Sequence, residues 1–152
     1  MKRLFILSLS LFLESAVFAQ QTPTDAVKRT ITTLEAALHK GDSTLLRSVL
    51  AKDMEMQDVD EDEMGKRSLS ATSADELVKG IGTPHADVYD ELNIIGDIKM
   101  EGPLAIVRTS YKFYVGSKFD HCGIHYFQLA KIDGSWKIIL IAATSRTDKC
   151  PV

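Results

Sequence analysis

Residues 119–145 read FDHCGIHYFQLAKIDGSWKIILIAATS, and Asp133-Gly134 near their centre decides the architecture. A two-residue hairpin turn needs positive φ at both central positions, and Asp-Gly between apolar runs meets that demand. The runs 119–132 and 135–145 therefore predict two long antiparallel strands. With Ile132 opposite Ser135, an uninterrupted register sets Leu129 against Ile138, Phe127 against Leu140, His125 against Ala142 and His121 against Arg146. Together with Trp136 these make one face. The other face pairs Gln128 with Ile139, Tyr126 with Ile141 and Ile124 with Ala143. Both faces are largely apolar, whereas a sheet with one side in water has a polar outer face. Helices are expected to cover one side and a partner subunit the other.

Upstream, residues 105–113 alternate in the same way. Ala105, Val107, Thr109, Tyr111 and Phe113 share one face, opposite Arg108, Ser110 and Lys112. Val88, Leu92 and Ile94 share one face of the strand before it, and Asp90 lies on that face unless Gly96 marks a bulge. The N-terminal half is helical. Thr22-Pro23-Thr24-Asp25 is a capping box with proline in the first turn. Val27, Ile31, Leu34 and Leu38 follow at helical spacing, and Gly41 ends the helix. Asp42 caps a short second helix, and Ser73-Ala74-Asp75-Glu76 opens a third that Gly80, Gly82 and Pro84 close. Met54 and Met56 alternate with Asp53 and Glu55 as in a strand. Helices first and strands after read as an α+β fold.

The acidic stretch Asp58, Asp60, Glu61, Asp62 and Glu63 resembles the opening of a calcium loop. That loop needs Gly sixth and Glu twelfth, where this chain has Glu63 and Leu69; starting at Asp60 leaves Ala71 twelfth. A solvated loop is expected instead, and no metal.

The first residues carry an address. Lys2 and Arg3 precede an apolar run from Leu4 to Leu13, and Val17 and Ala19 provide small-residue punctuation before Gln20. These are the parts of a secretory signal, and the run is too short to span a bilayer. The expectation is a signal peptide over 1–19, cleavage before Gln20, and one secreted or periplasmic domain over 20–152 with no membrane association afterwards. The whole chain of 152 residues has 18 Lys+Arg against 21 Asp+Glu and a net charge of −3. That excludes the basic surface a nucleic-acid binder needs. An exported chain oxidises paired cysteines, and this one has two, Cys122 and Cys150. Cys150 lies five residues beyond the position opposite Cys122, so a bridge requires residues 146–149 to turn back.

The order helix, helix, strand, short helix, long antiparallel strands resembles the nuclear transport factor 2-like superfamily. His121-Cys122-Gly123, Phe127-Gln128-Leu129, Asp133-Gly134, Trp136-Lys137-Ile138, Arg146 and Cys150 resemble its small exported bacterial, lumazine-binding-like members. The resemblance implies a curved antiparallel sheet wrapped around the helices as a cone, an internal pocket, and a homodimer formed through the sheet. The superfamily holds isomerases, dehydratases, cyclases and binders, so the fold leaves function open.

The chemistry is sought on the inward face. His121 and His125 on a strand have Cα atoms about 13 Å apart, too far to share a metal. With Tyr111, Phe127, Trp136 and Arg146 they form a candidate set for binding a small apolar or acidic ligand. His125 or Asp90 as base and Tyr111 as donor are the catalytic candidates for a lyase or isomerase. No cofactor motif is present. A third reading is a structural or interaction module whose cone is plugged by Met54, Phe113 and Trp136.

Overall fold

A computed structural model describes residues 22–61 and 64–151. The signal peptide and its cleavage site, expected at residues 1–20, lie outside the described residues. Helix α1 runs from Pro23 to Lys40, capped by Thr22 with the full capping box and ended by Gly41 at φ 63°. Helix α2 spans Ser43–Val49 behind the Asp42 cap, and α3 spans Ala74–Gly82 behind Ser73 and Glu76. The strands are β1 (Leu50–Glu61), β2 (Arg67–Ser73), β3 (Tyr89–Glu101), β4 (Leu104–Val115), β5 (Lys118–Ile132) and β6 (Ser135–Arg146).

The fold is α+β, with the helices N-terminal and the six strands in one curved, unclosed sheet of order β2-β1-β6-β5-β4-β3. Neighbouring strands are antiparallel except β1 and β6, which run parallel. The Asp133-Gly134 turn has φ 48° and 79°, as the hairpin requires.

Two bulges correct the uninterrupted register. Leu129 pairs with Ile138, but Gln128 pairs with Leu140, so Ile139 is an extra residue in β6. Beyond it every partner moves by one: Phe127 faces Ile141, His125 faces Ala143 and Cys122 faces Arg146. A one-residue slip exchanges the two faces. Ile138 points inward before the bulge, and Ile141 and Ala143 point inward after it, all of them buried. Ile141 therefore lies inside, not on the outer face, and Arg146 is exposed. The second bulge falls at Gly96-Asp97 in β3. There a Cβ on Gly96 would sit 3.2 Å from the Arg108 carbonyl oxygen. Such bulges bend the strands around the helices.

The acidic stretch departs from the loop expectation at Asp58, Asp60 and Glu61, while Asp62 and Glu63 lie outside the described residues. Asp58 and Asp60 continue strand β1 on the same face as Met54 and Met56, and β2 pairs alongside from Glu55 to Glu61. The narrow end of the cone is packed solid. Val27 and Ile31 of α1 meet Val107, Leu129, Trp136 and Ile138 of the sheet there, all buried. From that end, where Thr30 Oγ1 donates to the Trp136 carbonyl at 3.5 Å, α1 runs towards the wide end and its His39.

Cys122 and Cys150 are joined, with Cα atoms 5.6 Å apart. The tail turns back through Lys149 at φ 46° and lays Cys150 over the completely buried Cys122. No helix among the described residues is long and apolar enough to cross a membrane.

Candidate functional site

The wide end of the cone encloses a cavity of about 400 Å³. Leu34, Leu38 and Leu46 close it from α1 and α2, and Leu77 and Ile81 from α3. The sheet supplies Met56, Asp58 and Asp60 from β1, Ser70 from β2, Glu91 from β3, Tyr111 and Phe113 from β4, His121, His125 and Phe127 from β5, and Ile141 and Ser145 from β6.

An aromatic wall crosses the sheet. The Tyr111 and His125 rings stack with centroids 3.9 Å apart and planes parallel within 1°. His121 meets the edge of Tyr111 at 5.5 Å and stacks on Phe113 at 5.0 Å, while Phe127 meets His125 at 5.2 Å. This wall depends on Gly123, which pairs with Tyr111 across the strands. The phenol passes over the bare glycine and donates to the Thr144 carbonyl on β6 at 3.0 Å.

Behind the wall lies a buried polar network. Asn93 Oδ1 accepts from Thr109 Oγ1 at 2.7 Å and from His125 Nδ1 at 3.4 Å. Asn93 Nδ2 donates to Glu91 Oε1 at 2.7 Å, and the Asn93 backbone N–H donates to Glu35 of α1 at 3.1 Å. Since the Asn93 oxygen is an acceptor, His125 carries its proton on Nδ1 and presents a lone pair at Nε2. That Nε2 is buried without a hydrogen-bond partner.

Burial dominates the electrostatics. It pushes the Glu91 carboxyl up to about 7, with Asn93 opposing and the Glu35 charge reinforcing. It presses His125 down to about 3, helped by His121, so the ring is neutral at ordinary pH. Glu35 is raised by burial, and Asp58 by burial and then by the adjacent Asp60. The Tyr111 phenol is raised by burial and by Glu91, and stays protonated.

The chain matches the family model described as "Putative lumazine-binding" over residues 22–141. It belongs to that family. The fold is also that of solved nuclear transport factor 2-like structures. One is a protein of unknown function from Shewanella oneidensis MR-1, with TM-score 0.62 and 19% identity over 81% of this chain and 99% of that one. Another, from Nostoc punctiforme PCC 73102, is of unknown function with a cystatin-like fold; it has TM-score 0.64 and 17% identity over 86% and 96%. A third, from Novosphingobium aromaticivorans, has TM-score 0.65 and 12% identity over 80% of each chain. At such identities the likeness is one of fold. No curated protein matches the chain significantly.

Within this lumazine-binding-like cone, the residues singled out from sequence part company. Tyr111, His121, His125 and Phe127 come together on the cavity wall. Trp136 and Met54 are buried in the packed core, and Phe113 lines the cavity instead of plugging it. Arg146 is carried to the outer face by the slip at Ile139 and lies against the C-terminal tail. Asp90 also lies off the cavity, 3.2 Å from His39 Nδ1. Its neighbour Glu91 faces in, with Asn93, while Leu92 and Ile94 are 54% and 64% exposed. In β3 two polar residues, Glu91 and Asn93, face inward among Tyr89, Ile95, Ile98 and Met100, because Glu35, Thr109 and His125 satisfy them. Sequence reasoning missed Glu91, Asn93, Asp58 and Asp60. For the aspartates a signal existed: they extend the period-two face of Met54 and Met56.

Proposed function

We propose that this chain is an exported, dimeric domain that binds a small organic molecule in its cone and does not transform it. The observation that carries this reading is the cavity of roughly 400 Å³ itself, walled by Tyr111, His121, His125 and Phe127. His125 Nε2, buried without a protein partner behind that wall, costs about 1–3 kcal/mol, which a turn of the ring towards a ligand donor would recover. The volume falls in the range of small-molecule pockets. A cone filled by its own side chains lacks support, since Met54 and Trp136 are buried in the core and neither lines the cavity. The Cys122–Cys150 bridge suits an oxidising compartment and hence cleavage before Gln20. Native mass spectrometry of the chain purified from the exported fraction of its own host tests the reading. A retained small molecule, lost in His125→Phe, is the expected result; a bare polypeptide under every gentle condition opposes it.

A second reading, a lyase or isomerase, is favoured by one observation. Glu91, held near pH 7, is able to take up and return a proton at neutral pH. It is better suited as base than Asp90, which lies outside, or His125, whose proton affinity is low. Tyr111 spends its proton on Thr144, which weakens it as a donor. Deuterium entering the retained molecule from heavy water, and failing to enter with Glu91→Gln, would favour this reading.

A further inference from the structure

We propose that the cavity selects an organic cation, an amine or amidine carried on a flat apolar body. The proposal rests on the ligand-binding reading above and adds the class of ligand. It follows from counting what the wall has left to offer. Tyr111 Oη donates to the Thr144 carbonyl at 3.0 Å, and Ser145 Oγ donates to Asp60 Oδ1 at 3.0 Å. His121 Nδ1 donates to Asp120 at 2.8 Å, and His125 Nδ1 is turned to Asn93. Those donors are committed to the protein itself; the Ser70 hydroxyl of β2, which also lines the cavity, is a neutral group that can donate or accept.

Carboxylate oxygens dominate what remains. Asp58, Asp60 and Glu91 all border the same space, with the unpartnered Nε2 of His125 buried behind its wall. Among the described residues no lysine or arginine lines the cavity. The acidic ligand expected from Arg146 has lost the cation on which it rested. An anion entering here would meet three carboxyl groups and no lysine or arginine, and His121, the partly exposed imidazole on the wall, is already held by Asp120. A cation would relieve the repulsion between Asp58 and Asp60, which already disfavours the charged form of Asp58. Its apolar body would lie against the rings of Phe113, Tyr111 and Phe127, where the π faces also favour positive charge.

An inorganic cation fits less well. Asp58 and Asp60 are two residues apart on a strand, with Cα atoms about 6.7 Å apart. No group of three metal-type ligands converges among the described residues. A hard ion wants six or more oxygens close around it.

Three isosteric probes test the proposal on the disulfide-intact chain 20–152. Phenethylamine is cationic, 2-phenylethanol neutral and phenylacetate anionic; each is titrated and followed by protein-observed NMR. Phenethylamine is expected to bind at least about tenfold more tightly than 2-phenylethanol, and phenylacetate at least about tenfold more weakly, tenfold being 1.4 kcal/mol. Asp58→Asn with Asp60→Asn should abolish the preference for the amine over the alcohol, with the variant's fold certified by amide resonances of the hairpin around Asp133-Gly134 that match the wild type; a folded variant that keeps the preference overturns the proposal. Equal or better binding of the alcohol or the acid overturns the cation proposal and leaves the pocket reading standing. Failure of all three probes to bind at millimolar concentration overturns both.

Discussion

The Tyr111 ring lies directly over Gly123. A Cβ on that glycine would fall 2.8 Å from Tyr111 Cε1 and 1.7 Å from the Thr144 carbonyl oxygen. The second contact is with backbone and has no side chain to yield. Gly123→Ala is therefore expected to cost about 3 kcal/mol or more, the upper end of overpacking penalties. It should also lift Tyr111 off His125 and spoil the wall. Urea unfolding of the variant measures this, and wild-type stability would contradict the close approach. Tyr111→Phe, which removes only the bond to Thr144, should cost about 1 kcal/mol.

Glu91 ties stability to pH with an uncommon sign. Its folded value of about 7 lies above the ordinary carboxyl value of 4.5. Between those limits the folded chain keeps a proton that the unfolded chain has lost. Stability from this group is therefore full below pH 4.5 and is lost as pH rises through 7, by about 3 kcal/mol in all. His125 acts the opposite way: its folded value of about 3 lies below 6.5, so its share is lost as pH falls. The difference between Glu91→Gln and wild type isolates the carboxyl. The variant should gain on the wild type in melting temperature from pH 5 to pH 8, and a constant offset would refute the assignment.

The Cys122–Cys150 bridge closes a separation of 28 residues. In the chain-entropy model such a loop is worth about 3–4 kcal/mol. Replacing both cysteines with alanine should lower the denaturant midpoint accordingly and free the tail from Cys122. Two free thiols found by alkylating the denatured, non-reduced chain would contradict the bridge.

The outer face of the sheet exposes Leu92, Ile94, Ile106 and Tyr126, the last two 41% and 49% exposed. A patch of this kind is characteristic of an interaction surface, and a two-fold contact between copies would bury it. The wild type is expected to scatter light as a dimer at micromolar concentration. Tyr126→Lys with Ile106→Lys should give a folded monomer with the cavity intact. Ile141→Lys is not equivalent, because Ile141 lines the cavity. A monomeric wild type would sink the dimer.

Much of this architecture was legible in the chain because its signals are local. Caps at Thr22, Asp42 and Ser73, the αL stop at Gly41 and the turn at Asp133-Gly134 act within four or five residues. The alternation in 105–113 placed Tyr111 on the inward face, and Tyr111, His121, His125 and Phe127 stayed together because no bulge separates Tyr111 from His125 across β4 and β5. The acidic face of β1 was misread as a loop. Charge alternation alone did not reveal that a partner strand, β2, and a cavity would receive it.

What the sequence determined by itself, then, was the element order, the hairpin and the aromatic side of the site. Each depends on backbone preferences or side-chain periods carried by neighbouring residues. Tertiary structure alone decided the polar side. Ile138-Ile139-Leu140-Ile141 is apolar at four successive positions, so no change of parity marks the extra residue that turns Arg146 outward and Ile141 inward. In β3 the hydrophobic pattern favoured Leu92 and Ile94 as the buried face. Pairing with β4 and the partners offered by Glu35, Thr109 and His125 turned Glu91 and Asn93 inward instead. A buried polar group is stable only where distant residues complete its hydrogen bonds, and that completion exists only in the folded chain.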